Sequence, residues 1–119
     1  MTNPSSALQN RFGETRAWGL SAISLLEYWR GVERAASEDR RRGRMVFFEQ
    51  NFADLKVVAI DSEISRTGAK VWSELERDGN MVPVLDLLIA ATALTLDWAL
   101  ATFDRRYFRK IQGLEVIEL

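Results

Sequence analysis

The sequence contains neither cysteine nor histidine. Without thiols it cannot form disulfides, zinc–thiolate sites or a cysteine nucleophile, and it is compatible with a reducing cytoplasm. Without imidazole it cannot use Ser–His or Cys–His catalysis or a histidine metal site. Carboxylates and lysines are therefore the remaining candidates for metal binding and proton transfer.

An apolar segment suited to a membrane is also missing. The N-terminal residues lack the apolar stretch of a signal peptide. The longest apolar run, near Leu85 to Leu100, is interrupted by Asp86 and Asp97 and is too short to span a bilayer. The net charge of −1 provides no bulk positive field, so any RNA binding has to come from a local patch. We therefore expect a soluble cytoplasmic protein without a membrane partner.

The chain of 119 residues, 47% of them hydrophobic, is long enough for one core and shows no repeat or linker, so residues 1–119 are interpreted as a single domain. Strands are predicted at 17–22, 56–60, 99–103 and 114–119. Helices are predicted at about 5–13, 24–36, 45–52, from Asp61 to Gly79, from Asp86 to about 99 and at 105–111, with a charged loop at 38–44. This alternation predicts an α/β sandwich around a mostly parallel sheet.

Three carboxylates are expected at one edge of this sheet. Asp104 follows the strand at 99–103 directly, and Glu27 follows the strand at 17–22 within a few residues. Asp86 begins a buried helix and is expected at a similar level. Because ligands of such sheets bind at the carboxyl ends of the strands, we predict that Glu27, Asp86 and Asp104 converge.

Converging carboxylates predict a site for a hard divalent cation. Their mutual repulsion raises the cost of ionisation, and a cation relieves it. Mg²⁺ takes oxygen ligands and commonly binds one or two carboxylates together with substrate phosphate. Such a metal can orient a phosphodiester and help to ionise the attacking water. Phosphodiester cleavage is therefore a chemistry that the composition permits.

Structural roles for the same residues remain open at this point. Ser24 and Glu27 could form a capping box, and Asp86 or Asp104 could each be a helix N-cap. The arginines of segment 40–44 could contact phosphates or lie in a solvated loop. The four tryptophans are interpreted as core or interface anchors rather than base-stacking platforms.

Three segments carry a resemblance to PIN-domain ribonucleases, in particular to VapC-like toxins of toxin–antitoxin pairs. Residues 79–94, GNMVPVLDLLIAATAL, resemble the D-L-L-I-A-A helix start of that family. Residues 101–116, ATFDRRYFRKIQGLEV, are similar to its T-x-D-R-x-x-F…G-L-x-V ending. Residues 21–31, SAISLLEYWRG, resemble the segment with the family's glutamate. Together the resemblance covers about residues 7–119 in order.

The resemblance implies a PIN-like three-layer sandwich and an endoribonuclease that depends on Mg²⁺ or Mn²⁺. It also implies a homodimer that acts on RNA and is inhibited by a cognate antitoxin protein. Glu27, Asp86 and Asp104 match the family's active-site and metal-binding carboxylates. Thr102 matches the hydroxyl residue of its acidic pocket.

The N-terminus departs from the family pattern. PIN domains open with an apolar strand that ends in a metal-binding aspartate, whereas Glu14 is the only acidic residue before Ala17 and follows no apolar run. The resemblance therefore implies that the family's first central strand is missing and that ribonuclease activity is impaired. The alternative is a non-catalytic PIN remnant that binds an antitoxin or dimerises. A flavodoxin-like module is less favoured because no early strand ends in clustered acids.

Overall fold

The computed structural model describes residues 18–119. The chain divides into two compact units, Met1–Val58 and Ala59–Leu119, which are taken in turn. The short helix predicted at about 5–13 lies outside the described residues.

The first unit contains two strands joined by two helices. Strand β1 (Gly19–Ser21) precedes helix α1 (Ala22–Glu33), helix α2 (Glu38–Asn51) and strand β2 (Lys56–Val58). The two strands pair in parallel, from Gly19 opposite Lys56 to Ser21 opposite Val58. Parallel neighbours need a long crossover connection, and the helical pair supplies it.

Helix α1 begins earlier than the sequence predicts. Ser21 is its N-cap, and the Ser21 hydroxyl accepts a hydrogen bond from the Ile23 backbone N–H at 3.1 Å. The predicted capping box of Ser24 and Glu27 is therefore wrong, because both residues already lie inside the helix. Ser21, the last residue of β1, thus also accepts a hydrogen bond from a backbone N–H in the first turn of α1.

The charged segment 38–44, predicted as a loop, is the first half of α2. Ser37 caps this helix, since its hydroxyl accepts a backbone N–H hydrogen bond at 3.2 Å. Glu38 and Asp39 lie in the first turn, where negative charge is favourable. Arg42 pairs with Asp39 at 2.8 Å, three residues apart on the helix. The charges are therefore compatible with helix because acids precede bases along it.

An aromatic cluster joins α1 to α2. The ring centroids of Tyr28 and Phe48 lie 4.7 Å apart, and those of Trp29 and Phe48 lie 5.8 Å apart. The Tyr28 hydroxyl donates to the backbone carbonyl of Arg44, whose guanidinium donates to the carbonyl of Gly31. These contacts fix the two helices against each other without a fully apolar interface.

Large apolar side chains remain on the surface of this helix pair. We call this group of residues on α1 and α2 the hairpin patch. Its members, each between 40% and 54% exposed, are Leu26, Trp29, Met45, Val46 and Phe47. Two other tryptophans, Trp72 and Trp98, are 41% and 42% exposed. Trp29, Trp72 and Trp98 are therefore not core residues, and their role as interface anchors stays a prediction.

The second unit has two long helices followed by two strands. Its elements are α3 (Ser62–Asp78), α4 (Val84–Leu96), β3 (Leu100–Thr102), a 3₁₀ helix (Phe108–Lys110) and β4 (Val116–Glu118). Strands β3 and β4 pair in parallel, from Leu100 opposite Val116 to Thr102 opposite Glu118. Parallel strands with interspersed helices in both units confirm the predicted α/β class.

Both ends of α3 agree with the sequence prediction. The Asp61 carboxylate accepts a hydrogen bond from the Ile64 backbone N–H at 2.9 Å and so caps the helix. Gly79 ends it in the left-handed conformation, with a φ of 69°. A residue without a Cβ adopts this conformation at little cost.

Helix α4 lies at the centre of the core of this unit. The buried apolar cluster draws on α3, α4, β3, the 3₁₀ helix and the residues that flank them: Val71, Leu75, Val82, Leu87, Ala90, Ala93, Leu100, Phe108 and Ile111. The predicted burial of α4 is thus confirmed. Within residues 18–119, no helix is long and apolar enough to cross a membrane.

Candidate active site

Asp86 lies in the first turn of the buried helix α4. The helix begins at Val84, and its N-cap is Pro83, which has no side-chain capping bond. The interpretation of Asp86 as the N-cap is therefore wrong. Its carboxylate is half-buried and lies where the helix dipole favours negative charge.

Asp104 lies two residues after the end of β3, in a turn held by Thr102. The Thr102 hydroxyl accepts a hydrogen bond from the Asp104 backbone N–H and donates one to the Asp104 carbonyl, both at 3.1 Å. Thr102 therefore fixes the backbone of Asp104 directly after the strand. The role of Thr102 in an acidic pocket, which the resemblance implies, stays a prediction.

The carboxylate of Asp104 is bound by Arg106. One carboxylate oxygen accepts the Arg106 backbone N–H, and the other accepts its guanidinium, each at 3.0 Å. The side chains of Asp104 and Arg106 are 61% and 64% exposed. The 3₁₀ helix begins only at Phe108, so Asp104 closes a turn on Arg106 instead of capping a helix at 105–111.

The two aspartates affect each other electrostatically. Burial raises the pKa of Asp86 above its ordinary value, and the negative charge of Asp104 raises it further, whereas Arg106 opposes the shift. The pKa of Asp104 is lowered, mainly by the hydrogen bond from the Arg106 backbone and also by the positive charges of Arg106 and Arg109. Asp86 and Asp104 therefore form a coupled acidic pair with a basic rim.

Glu27 lies on α1 in the first unit, with its side chain exposed. Its predicted approach to Asp86 and Asp104, which belong to the second unit, stays a prediction. Within the described second unit, residues 59–119, no group of three or more acidic side chains is arranged to hold a metal ion. The second unit alone thus contributes a pair of carboxylates.

The chemistry of this pair fits a hard divalent cation. Both residues offer carboxylate oxygens, which Mg²⁺ and Mn²⁺ prefer over softer ligands. The repulsion between Asp86 and Asp104 is the kind of electrostatic cost that a bound cation relieves. One positive group, the Arg106 guanidinium, already forms an ion pair with Asp104 at 3.0 Å.

Comparison with known proteins identifies the family. The family model described as PIN domain matches residues 4–114. This chain belongs to the PIN-domain family. The match runs through both compact units and includes all four predicted site residues. The predicted resemblance is thereby confirmed.

Individual relatives are VapC-like. The chain is 31% identical to Ribonuclease VapC1 of Rickettsia felis over 117 residues, covering 93% of this chain and 87% of that protein. It is similar to VapBC-5 of Mycobacterium tuberculosis, with a TM-score of 0.77 and 29% identity over 85% of this chain and 81% of the other. VapBC2 of Rickettsia felis has a TM-score of 0.80 at 20% identity, over 96% of this chain and 84% of the other. These likenesses confirm the predicted PIN-like α/β fold.

Arg106 is the site residue that sequence reasoning did not single out. A base two residues after an aspartate is a weak signal, because charged neighbours are common in exposed loops. What could have indicated it is the position of Asp104 at a strand end, where an aspartate often accepts the backbone N–H two residues on. Because the Arg106 backbone N–H binds the Asp104 carboxylate in this turn, the Arg106 side chain leaves the backbone close to the same carboxylate.

Proposed function

We propose that this PIN-domain protein is the toxin subunit of a cytoplasmic toxin–antitoxin pair and cleaves RNA phosphodiester bonds with Mg²⁺ or Mn²⁺. The observation that carries the proposal is the coupled pair of Asp86, at the start of α4, and Asp104, after β3. A named relative, Ribonuclease VapC1, supports the reaction type. The chain's lack of histidine and cysteine favours carboxylate-based cleavage over nucleophilic schemes.

Asp86 and Asp104 would hold the cation through their carboxylate oxygens. When bound, it supplies orientation of the phosphodiester, ionisation of the attacking water and stabilisation of the leaving oxygen. Thr102 keeps the Asp104 backbone in place through its two hydrogen bonds. Glu27 is proposed as the third carboxylate of the site. The exposed side chains of Arg106 and Arg109 offer positive charge for the phosphates of a bound RNA.

A cleavage assay on structured RNA tests the proposal. We expect cleavage that requires Mg²⁺ or Mn²⁺ and stops with EDTA. It should fall roughly a hundredfold in Asp86→Asn and Asp104→Asn, because each substitution replaces a charged metal ligand by a neutral amide. Asp97→Asn is the matched control. Asp97 is an exposed acid in the left-handed conformation that Asn also accepts, with a φ of 56°. EDTA-resistant cleavage, or equal loss in Asp97→Asn, would contradict the proposal.

The resemblance also implies that activity is impaired by loss of a first-strand aspartate, and this stays a prediction. A version extended by roughly 20–30 upstream residues would cover the expected missing unit. We expect the extended version to cleave the same RNA faster than the 119-residue chain. Equal, EDTA-sensitive rates that Asp104→Asn abolishes would refute the importance of that strand.

The second candidate is a non-catalytic PIN remnant that binds an antitoxin. The hairpin patch favours it, because a group of large apolar side chains on a surface marks protein–protein contacts. One structural relative, VapBC-5 of Mycobacterium tuberculosis, is a member of the VapBC family of toxin–antitoxin systems. Binding of a co-expressed antitoxin by a chain without metal-dependent cleavage would support this candidate over the first.

A further inference from the structure

The Arg106 side chain binds the carboxylate of Asp104, one of the two proposed metal ligands. Both carboxylate oxygens of Asp104 accept hydrogen bonds from Arg106, one from its backbone N–H and one from its guanidinium, each at 3.0 Å. The guanidinium carbon lies 4.9 Å from the centroid of the Tyr107 ring. The guanidinium therefore contacts the negative charge of Asp104 and lies close to the Tyr107 ring.

We propose that Arg106 is a built-in counter-ion that competes with the divalent cation for Asp104. A cation that binds Asp104 competes with the guanidinium, because both positive groups draw on the same carboxylate charge and lone pairs. Arg106 is thus a positioning residue that sets the metal affinity of the site. The inference rests on the proposed function, since it concerns the same pair of aspartates.

The strength of this competition follows from exposure. The ion pair is about two-thirds exposed to solvent, at 64% for Arg106 and 61% for Asp104. Exposed pairs of this kind are weak and are screened by salt. The guanidinium can therefore be displaced by a divalent cation, and it lowers metal affinity without abolishing it.

The surroundings give the displaced side chain a place to go. The Tyr107 ring lies beside Arg106 in the present arrangement and can retain the guanidinium by a cation–π contact after it leaves Asp104. The freed charge would then lie next to the carboxylates and would be available to a phosphate of the RNA. Metal loading and phosphate binding would in this way be linked through one side chain.

The test measures metal affinity directly. Mn²⁺ binding to the full chain is followed by electron paramagnetic resonance of free Mn²⁺, and Mg²⁺ binding by calorimetry. We expect Arg106→Gln to bind Mn²⁺ roughly three- to tenfold more tightly than the unchanged chain, because it removes both the competitor and a nearby positive charge. Arg106→Lys, which keeps the charge but loses the planar fork, should lie between the two.

Arg105→Gln is the matched control. It makes the same change of charge one residue away, at a side chain that pairs with Glu118 at 3.4 Å instead of with Asp104. We expect it to change Mn²⁺ affinity much less than Arg106→Gln. An equal gain in both variants would mean a general effect of net charge and would overturn the competition.

Asp104→Asn separates this inference from the proposed function. If the unchanged chain binds Mn²⁺ and Asp104→Asn does not, the proposed metal site is supported. If Arg106→Gln then binds Mn²⁺ with the same affinity as the unchanged chain, only the proposed competition is overturned. Absence of binding in the unchanged chain and in Arg106→Gln would overturn the metal site and the competition together.

Discussion

Asp86 carries its charge at a half-buried position next to a second carboxylate. Burial and the charge of Asp104 both disfavour the ionised form, and Arg106 compensates only in part. A group with a raised pKa in the folded protein stabilises that state at low pH and loses this contribution as the pH rises through the folded pKa. Charging Asp86 is therefore a cost to stability that a functional site tolerates.

Replacing Asp86 by Asn should show this cost. Asn does not titrate, so the free energy of unfolding of Asp86→Asn relative to the unchanged chain should increase from about pH 3 to about pH 7. The gain should be small because the Asp86 side chain is only half-buried, so that water still stabilises its charged form. Urea unfolding at both pH values measures it, and the same protein should bind Mn²⁺ more weakly. Strong destabilisation without a change in Mn²⁺ affinity would instead indicate a structural role for Asp86.

At the scale of elements, α3 and α4 approach each other through small residues. Ala90 and Ala91 of α4 are completely buried, and Gly68 of α3 is buried as well. The Thr95 hydroxyl lies 2.9 Å from the Thr67 hydroxyl, so a polar contact also joins the helices. This close packing fixes the position of α4, and with it the position of Asp86 in the first turn of that helix.

Gly68→Ala should stabilise the protein despite this close packing. A Cβ at Gly68 would lie 3.5 Å from the Cβ of Ala91, an ordinary van der Waals distance. Ala is favoured over Gly in a helix, and we expect a gain of about 0.4–1 kcal/mol in the free energy of unfolding. Gly79→Ala is the contrasting variant and should lose roughly 1 kcal/mol, because its φ of 69° disfavours a Cβ. Urea unfolding measures both; destabilisation by Gly68→Ala would mean that the helices cannot accept a methyl group.

At the scale of the whole molecule, the PIN-domain match runs from residue 4 to residue 114 and thus through both compact units. That residues 1–119 form a single domain stays a prediction. The hairpin patch belongs to the first unit, whereas the Asp86–Asp104 pair belongs to the second. The proposed partner surface therefore draws on residues of the first unit, and the proposed aspartate pair draws on residues of the second.

We predict that the chain, expressed without an antitoxin, forms homodimers or larger species at high concentration. The hairpin patch exposes large apolar side chains, and aromatic residues are enriched at interfaces. Trp29→Gln combined with Phe47→Gln should shift sedimentation toward the monomer. Phe103→Gln changes another exposed aromatic, which is 82% exposed in the second unit, and serves as the control. A dispersed monomer at high concentration would contradict the prediction, and a larger shift in the control would place the interface elsewhere.

The α/β class, the PIN family and the identity of the paired aspartates could be predicted from the sequence by itself. The ends of α3 at Asp61 and Gly79 were predictable because capping depends on residues within one turn. The burial of α4 was predictable because the residues between Asp86 and Asp97 carry no charge. These features depend on neighbours along the chain, which the sequence displays directly.

Only the tertiary structure showed the helical character of segment 38–44 and the ion pair between Arg106 and Asp104. The first half of α2 is supported by Arg41, which pairs with Glu33 at 3.2 Å, and by the bond from Tyr28 to Arg44. These partners are 8 and 16 residues apart in sequence. The raised pKa of Asp86 likewise depends on the charge of Asp104, which lies after β3 and far from Asp86 in sequence. Burial and charge at that site arise from residues brought together by folding, and local patterns do not encode those distances.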